Sequence, residues 1–324
     1  MNALERRWYQ SPALVLLPIE AFYRAVVAVR RSAYRWGVFS STRLDVPVIV
    51  VGNINVGGTG KTPLTIWLVK YLKEAGYQPG IITRGYGGKA TSWPQTVEAD
   101  SDPALVGDEP VIMARRCDCP VVAGPDRVRA AKVLLANSAC NILISDDGMQ
   151  HYRLQRDLEI VVVDGERRFG NNHCLPAGPL REPVKRLKEV DYIVTNGNAR
   201  TGEWCMSLVQ EGAISLADAS FVPLSDFKGQ AVHAVAGIGN PARFFNQLRA
   251  QGIKVIEHAF PDHHPYVASD IQFGDSIPVL MTEKDAVKCQ RFGCRRHWYI
   301  PVEACLDQGF ALALLETTRK MDNG

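Results

Sequence analysis

The stretch "VGNINVGGTGKTPLTIWLVKYL", from Val51 to Leu72, decides the class of fold. An apolar run ends at its start, glycines and a Lys–Thr pair follow, and a pattern typical of a helix then begins. This order matches the phosphate-loop pattern, except that Asn55 stands where the first glycine is usual. The amide groups of such a loop and the N-terminus of the helix behind it form a site for phosphate. We therefore predict that the chain binds a nucleoside triphosphate.

The positions of this loop have distinct predicted roles. The glycines leave amide groups free to face the phosphates, Lys61 supplies a cation, and Thr62 offers a hydroxyl to Mg²⁺. Pro63 suits the first helical turn, where its missing N–H has no intrahelical partner. The predicted nucleotide-binding residues of the loop are Asn55, Val56, Gly57, Gly58, Thr59, Gly60, Lys61 and Thr62.

Length and composition set the frame for this prediction. The chain has 324 residues, enough for two domains, with a composition typical of a globular protein. A net charge of +3, without a basic stripe that carries interleaved aromatic residues, does not indicate nucleic-acid binding. The eight cysteines lack the spacing of a zinc site, and we interpret them as reduced thiols of a cytosolic protein. No cleavable signal peptide is evident.

Continuous apolar runs predict the architecture of the first half. They are "VPVIVVG", "GIIT", "PVVAG", "NILIS", "LEIVVVDG" and "DYIVTN", with helical patterns between several of them. Runs that do not alternate are typical of parallel strands covered on both faces. We therefore predict a doubly wound α/β core, with a parallel sheet, over residues 38–196.

The second half predicts a smaller α/β domain. The pattern weakens after residue 196, so we place a linker over 197–228 and the second domain over 229–324. The stretch "AVHAVAGIGNPARFFNQLRAQG" indicates a strand, a glycine turn and a helix, and "KVIEHAF" and "IPVLMTEKDAVK" indicate further strands. The Gly237–Gly239 turn lacks the full dinucleotide fingerprint, and we interpret it as a tight strand-to-helix turn.

Residues 1–37 predict an amphipathic helix that is too often interrupted by charge to cross a bilayer. One helical face carries Ile19, Phe22, Val26, Val29, Ala33 and Trp36. Another face carries Glu20, Arg24, Arg31 and Arg35. Two interpretations remain open. The helix lies in the membrane interface, with its cationic side toward anionic headgroups, or it packs on its own domain.

Two adjacent carboxylates predict the metal side of the site. Asp146 and Asp147 follow the run "NILIS" directly, where a phosphate-loop protein needs a second contact to Mg²⁺. Neighbouring carboxylates repel each other unless a cation lies between them. We therefore predict Thr62, Asp146 and Asp147 as the metal-binding residues, with Asp164 of "VVVDGERR" as a lower-ranked alternative.

Phosphoryl transfer to an alcohol also needs a group that accepts the hydroxyl proton. The motif "VGDEP" offers Asp108 and Glu109, and the motif "FPDHHPY" offers Asp262, His263 and His264. Two Gly/Pro-framed loops, "RGYGG" and "GPLREP", add side chains whose spacing alone fixes no role: Arg84, Tyr86, Arg181 and Glu182.

Taken in order, these motifs resemble one family, the tetraacyldisaccharide 4′-kinases of lipid A biosynthesis. The motifs are "VGNINVGGTGKTP", "TRGYGG", "GDEP", "SDDGMQH", "PAGPLREP", "GIGNP", "FPDHH" and "MTEKDAVK". Asn55 is no departure within this family, whose own loop also lacks the first glycine. The resemblance implies transfer of the ATP γ-phosphate to the 4′-hydroxyl of an acylated glucosamine disaccharide 1-phosphate. It also implies a phosphate-loop core, a smaller C-terminal domain joined by a hinge, and an N-terminal helix on the membrane.

The resemblance also implies residue roles. Asp108 is expected to act as the base, tuned by the histidine of the Asp–His motif, which we assign to His263 rather than His264. Lys61 and Thr62 are expected to hold phosphates and Mg²⁺, with the acidic pair on the metal side. Arg181 and Glu182 are expected at the nucleotide, and the residues expected near the substrate are Arg84, Tyr86 and Glu109.

The implied substrate bears on the N-terminal helix. Each CH₂ of an acyl chain exposed to water costs about 0.8 kcal/mol, so we expect catalysis at the cytoplasmic face of the bacterial inner membrane. The expected partners are the lipid and the membrane surface, with no nucleic acid and no obligate protein. One alternative is a membrane-associated phosphate-loop ATPase switch, for which "GDEP", "LREP" and "PDHH" have no evident use. The other is a soluble ligase, which needs no N-terminal helix.

Overall fold

The computed structural model describes residues 7–322. The α-helices are α1 Leu17–Arg35, α2 Lys61–Glu74, α3 Pro103–Val106, α4 Asp108–Cys117, α5 Arg127–Ala136, α6 Pro241–Ala250, α7 Glu283–Cys289 and α8 Gln308–Asp322. Short 3₁₀ helices span Leu14–Leu16, Val184–Glu189, Leu224–Phe227, Ala268–Asp270 and Gln290–Phe292. Residues 1–6 of the predicted N-terminal helix and residues 323–324 of the predicted second domain lie outside the described residues.

The strands follow the chain as β1 Val48–Gly52, β2 Pro79–Thr83, β3 Gln95–Thr96, β4 Val121–Ala123, β5 Ile142–Asp146, β6 Leu158–Asp164, β7 Tyr192–Asn196, β8 Trp204–Val209, β9 Gly212–Ser215, β10 Phe221–Pro223, β11 Ala231–Ala236, β12 Lys254–Ala259, β13 Val279–Thr282, β14 His297–Ile300 and β15 Glu303–Leu306. Each of the six apolar runs of the first half is a strand. The prediction of an α/β fold is therefore confirmed.

The first sheet places the predicted site at one edge. Within residues 7–322 it has nine strands in the order β15-β8-β7-β6-β1-β5-β2-β4-β3, and its interior pairs are parallel. Strand β1 leads to the glycine loop and its neighbour β5 leads to the acidic pair. Because the carboxyl ends of parallel strands meet at one edge, the two motifs become neighbours.

Both faces of the first sheet are covered, which accounts for the continuous apolar runs. Ile49 and Val51 of β1 belong to a core that includes Leu64 of α2. The alternate residues Val48 and Val50 belong to the opposite core, which includes Leu134 of α5.

The second sheet has six strands among the described residues, in the order β10-β9-β14-β13-β11-β12. Strands β11, β12, β13 and β14 are parallel to one another, β9 is antiparallel to β14, and β10 is antiparallel to β9. Its core is separate from those of the first sheet and includes Phe244 and Phe245 of α6. We call this sheet with α6 and α7 the second unit, and the first sheet with its helices the first unit.

The predicted linker over 197–228 is wrong, because this segment contains β8, β9 and β10. Strand β8 belongs to the first sheet, while β9 and β10 belong to the second. The predicted second domain also ends too late, since β15 returns to pair with β8 and Phe310 of α8 packs in a first-unit core. The chain therefore crosses between the units twice, once from β8 to β9 and once from β14 to β15. The crossing strands are antiparallel pairs on both sides, with Val209 opposite Glu303 and Ile214 opposite Tyr299.

Helix α1 lies on the first unit through polar side chains. The buried Glu20 accepts hydrogen bonds from the backbone N–H of Cys174 at 2.9 Å and pairs with Nδ1 of His173 at 2.6 Å. Arg31 pairs with Glu189 at 2.5 Å. The expectation that Glu20 and Arg31 face membrane headgroups is therefore wrong, because both side chains contact the protein.

The apolar face of α1 is exposed. Phe22 is 71% exposed, Val29 69%, and Trp36, just beyond the helix, 78%. The alternative in which the apolar stripe packs on its own domain is therefore not what the structure contains. No helix of residues 7–322 combines the length and the apolarity needed to cross a membrane.

Candidate active site

The glycine loop connects β1 to α2, as the sequence predicts. Gly57 and Gly60 have φ of +100° and +102°, a region that favours glycine, and α2 begins at Lys61 directly after Gly60. The loop is braced at Thr59, whose carbonyl accepts from Nδ2 of Asn196 and whose hydroxyl accepts from Nδ2 of Asn53, both at 3.4 Å. Gly57 and Gly58 are exposed at the centre of the loop, where a phosphate can approach.

The first two predicted loop residues, Asn55 and Val56, anchor the loop. The Nδ2 group of the buried Asn55 donates to the carbonyl of Arg168 at 2.6 Å. The backbone N–H of Val56 donates to the carbonyl of Pro179 at 2.8 Å. The side chain of Asn55 and the N–H group of Val56 are thus engaged within the protein, and a contact of these two residues with the nucleotide stays a prediction.

A further arginine reaches the loop from β6. Arg167 donates through Nη2 to the carbonyl of Gly58, and through Nε to Asp164 at 2.9 Å. Asp164 also accepts from the backbone N–H groups of Glu166 and Arg167. These bonds give Asp164, the alternative metal ligand, a structural role. Sequence reasoning quoted "VVVDGERR" but missed Arg167.

The acidic pair lies beside the loop, at the end of β5. Asp146 is buried and accepts hydrogen bonds from the hydroxyls of Thr65 at 3.3 Å and Thr83 at 3.4 Å. Burial raises the pKa of Asp146 to about 7, and the negative charges of Glu109 and Asp147 add to this rise. An anionic Asp146 is thus destabilised until a cation approaches.

Asp147 is held by two cations. Its carboxylate lies 3.4 Å from Nζ of Lys61 and 3.3 Å from Nη1 of Arg181. Burial alone would raise the pKa of Asp147, but Lys61 and Arg181 more than offset this and lower the pKa below its ordinary value. Asp147 has a φ of +49°, which turns its side chain away from the line of the strand. The structure thus brings Lys61, Arg181 and the acidic pair together, as predicted.

The predicted base and histidine are also in contact. Nδ1 of His263 lies 3.1 Å from Oδ2 of Asp108, which begins α4. This hydrogen bond raises the pKa of His263 above its ordinary value. The neighbouring His264 instead pairs with Asp270 at 3.0 Å. Geometry therefore brings His263, and not His264, to Asp108.

Two lysines of the motif "MTEKDAVK" lie beside Asp108 and Glu109. The sequence analysis assigned them no role. Lys284 pairs with Glu109, and Lys288 lies 3.6 Å from Oδ2 of Asp108. The charge of Lys284 lowers the pKa of Glu109, outweighing burial, and Lys61 adds to the effect. Because Glu109 also acts on Asp146, the base site lies next to the phosphate loop.

The remaining predicted residues have different surroundings. Tyr86 is exposed and its ring centroid lies 5.4 Å from that of His263. Arg84 is exposed after β2. Glu182 is 1% exposed and accepts from Nε2 of Gln150 at 2.8 Å and from the hydroxyl of Tyr152 at 2.5 Å. The prediction that Glu182 contacts the nucleotide is therefore corrected, because its carboxylate is enclosed within the protein.

The fold and this site define a phosphate-loop phosphotransferase with a carboxylate–histidine pair beside the loop. The family model for tetraacyldisaccharide-1-P 4′-kinase matches residues 12–319. The chain belongs to the tetraacyldisaccharide 4′-kinase family. Because this family consists of kinases, it excludes the two alternatives, a switch without a lipid acceptor and a soluble ligase.

Individual relatives agree with this assignment. The tetraacyldisaccharide 4′-kinase of Nitrosococcus oceani is 52% identical over 320 residues, which cover 97% of this chain and 95% of that protein. The protein of the same name from Alkalilimnicola ehrlichii is 53% identical, with 94% of this chain and 93% of that protein covered. The crystal structure of LpxK from Aquifex aeolicus in complex with ATP matches with a TM-score of 0.81 and 30% identity, covering 94% of this chain and 98% of that one.

Proposed function

We propose that this chain transfers the γ-phosphate of ATP to the 4′-hydroxyl of a tetraacyldisaccharide 1-phosphate, with Asp108 as the base. The observation that carries the proposal is the contact between Asp108 and His263 next to the phosphate loop. A carboxylate oriented by a histidine at this position suits the acceptance of a hydroxyl proton. A protein that only hydrolysed ATP as a switch would not need it.

The phosphate loop holds the nucleotide in this proposal. The exposed amide groups of Gly57 and Gly58 and the N-terminus of α2 face the β- and γ-phosphates. Lys61 moves from its contact with Asp147 to the γ-phosphate, and Arg181 adds a second cation from the facing loop. These groups neutralise the charge that spreads over the phosphoryl oxygens in the transition state.

The residues beside the loop suit Mg²⁺. Thr62, Asp146 and Asp147 offer hydroxyl and carboxylate oxygens, the ligands that Mg²⁺ prefers. Burial and the neighbouring carboxylates raise the pKa of Asp146 despite the charges of Lys61 and Arg127, so a further cation would stabilise its anionic form. Among residues 7–322, no group of three or more His, Cys, Asp or Glu side chains is arranged to hold a metal ion. Held by these residues, Mg²⁺ would supply charge neutralisation for the transferred phosphoryl group.

The chemical step is an in-line displacement. The 4′-oxygen forms a bond to the γ-phosphorus as the bond from that phosphorus to the β,γ-bridging oxygen breaks, and ADP carries away the electron pair. Asp108 accepts the proton of the 4′-hydroxyl. His263 and Lys288 both contact Oδ2 of Asp108, so in this proposal Oδ1 is the oxygen that accepts the proton.

Closure of the two units assembles the base site. Asp108 and Glu109 belong to α4 of the first unit, while their partners His263, Lys284 and Lys288 belong to the second unit. The lipid head group enters between the units, and their approach completes the site and excludes water. Tyr86, exposed beside His263, and Arg84 are placed to contact the head group.

Helix α1 seats the enzyme on the cytoplasmic face of the membrane in this proposal. Its polar face is occupied by the first unit, and its exposed face carries Phe22, Val26 and Val29. Burying such a face in the acyl boundary region of a bilayer is favourable. The acyl chains of the substrate can then stay in the lipid while the head group reaches Asp108.

Incubation with ATP and tetraacyldisaccharide 1-phosphate in mixed micelles tests the proposed reaction. Mass analysis should find one added phosphoryl group. This group should remain on the sugar after base treatment has removed ester-linked acyl chains. Asp108→Asn should lower kcat about 10²-fold to 10⁴-fold while the nucleotide still binds. The matched variant Asp270→Asn, which alters the partner of His264 instead, should keep turnover. A fully active Asp108→Asn enzyme would show that Asp108 is not the base.

Cosedimentation with vesicles of mixed zwitterionic and anionic lipids tests the membrane seat. The double variant Phe22→Ser and Val29→Ser should lose most vesicle binding and keep nucleotide affinity. Phe221→Ser, which removes a similarly exposed ring on β10, is the matched control and should bind vesicles normally. Point variants are preferable to truncation, because Tyr23 of α1 donates to the carbonyl of Arg181 at 2.9 Å. Equal binding by the double variant would contradict the proposed seat.

A further inference from the structure

Lys288 is buried and forms ion pairs with two carboxylates. Its side chain is 10% exposed on α7 of the second unit. Within residues 7–322 its Nζ group makes no hydrogen bond, and it forms ion pairs with Asp285 at 3.2 Å and with Asp108 at 3.6 Å. A buried ammonium is costly unless it is paired, and a solvated surface would accommodate a lysine at no such cost.

The second unit fixes the position of this ammonium. Asp285 is fully buried, and its Oδ2 accepts from the backbone N–H of Gly237 at 3.0 Å and from the hydroxyl of Thr282 at 2.5 Å. Its Oδ1 faces Lys288. The ring of Tyr266 lies on another side, with its centroid 5.2 Å from Nζ. The lysine is thus held by its own unit and presents its charge to Asp108 in the other unit.

The contact with Asp108 is specific to one oxygen. His263 and Lys288 approach Oδ2 at 3.1 Å and 3.6 Å from different elements of the second unit. A carboxylate held by one hydrogen bond can still rotate, whereas an imidazole and an ammonium on the same oxygen fix the direction of the other oxygen. Small errors in the direction of a reacting group lower rates strongly.

We propose that Lys288 is a positioning residue for the phosphoryl transfer: it holds Oδ2 of Asp108 from α7, so that Oδ1 points at the acceptor hydroxyl. This inference rests on the proposed role of Asp108 as the base. Lys288 touches neither substrate and acts through Asp108, so it affects turnover and not binding. The charged or titratable groups that face Lys288 or its partner Asp108 are Asp285, Tyr266, Cys289, His263 and Lys284.

Steady-state kinetics of the full-length enzyme with ATP and lipid disaccharide 1-phosphate, from about pH 5.5 to about pH 9, test the inference. Lys288→Met should lower kcat about tenfold to a hundredfold, with both KM values within about twofold of wild type. The acidic limb of the kcat profile should move to higher pH, because the carboxylate loses a nearby cation. Lys288→Arg should recover most of the rate. Lys320→Met, which removes a lysine paired with Glu316 on α8, should behave as wild type.

The outcomes separate this inference from the proposed function. A folded Lys288→Met enzyme with normal kcat, or one with lowered kcat and an unmoved acidic limb, would overturn the positioning role. Lys288→Gln, which retains length and polarity, is the second variant if Lys288→Met fails to fold. Asp108→Asn is measured in parallel. If it is inactive while Lys288→Met is normal, only the inference fails; if it is fully active, the proposed function fails too.

Discussion

The phosphate loop and the base site differ in how the chain assembles them. The loop between β1 and α2, with the acidic pair after β5, lies entirely in the first unit. The base site joins Asp108 of the first unit to His263 and Lys288 of the second. Changes at the loop should therefore impair nucleotide binding and chemistry together. Changes at the base site should impair chemistry alone, because only that site is built from residues of both units.

The largest expected effect is at the loop. Lys61→Met should weaken nucleotide binding and lower kcat/KM on the order of 10³-fold to 10⁵-fold, because a cation at the γ-phosphate is lost. Calorimetry and a phosphoryl-transfer assay measure the two effects. Lys132→Met, on the exposed face of α5, is the matched control. Intact nucleotide binding in Lys61→Met would contradict the claim that the loop is needed to bind the nucleotide.

The second prediction concerns the base site. His263→Gln should lower kcat about tenfold to a hundredfold and leave nucleotide affinity unchanged, since the histidine orients Asp108 across the boundary between the units. His264→Gln is the matched control, because this neighbouring ring pairs with Asp270. Equal kcat in the two variants, or weakened nucleotide binding in His263→Gln, would contradict the separation of the two sites.

The third prediction concerns the pH dependence of nucleotide binding at the loop. Asp146 has a pKa of about 7 and must lose its proton when Mg²⁺·nucleotide binds. Affinity should therefore fall by up to about tenfold per pH unit as the pH drops below that pKa, with release of a proton on binding. Calorimetry in buffers of different protonation enthalpy counts this proton. The nucleotide's own titration is common to wild type and Asp146→Asn, so equal proton release by the two proteins would contradict the prediction.

The smallest expected effect is on stability. The pKa of His263 is raised by Asp108, so the pair stabilises the folded chain at low pH and loses this contribution as the pH rises through the raised pKa. The ring is 33% exposed, so solvent screening limits the effect to under about 1 kcal/mol. Thermal unfolding of wild type and His263→Gln at acidic and alkaline pH measures it. A stability difference that grows with pH would have the wrong sign.

The same contrast explains what could be predicted from the sequence. The strands β1, β5 and β6 are covered on both faces and appear as continuous apolar runs, so the fold and the loop followed directly. Strand β8 was mistaken for a linker because it lies near the edge of the sheet, where exposed Cys205 and half-buried residues alternate with buried Met206. Although most of its residues are apolar, the strand is interrupted by exposed Cys205 and Ser207, so it lacks the continuous buried run of the interior strands.

At the site, contiguous motifs were predictable and contacts between the units were not. Lys61 and the acidic pair follow from spacing, because adjacent parallel strands determine where they lie. The sequence does not distinguish the two neighbouring histidines, of which His263, with a φ of +59°, contacts Asp108 and His264 contacts Asp270. Lys288 looks like a solvated lysine on a short helix, and its burial depends on packing between the units. The anchoring role of Asn55 likewise depends on Arg168, far along the chain.

The paired crossings, from β8 to β9 and from β14 to β15, limit how the second unit can move. Two antiparallel strands side by side form a strap that flexes easily in one direction and resists torsion, unlike a single tether. We therefore expect the second unit to move mainly in one direction, so that His263 and Lys288 reach Asp108 together. We therefore expect the register across the strap, with Val209 opposite Glu303, to affect how accurately His263 and Lys288 meet Asp108.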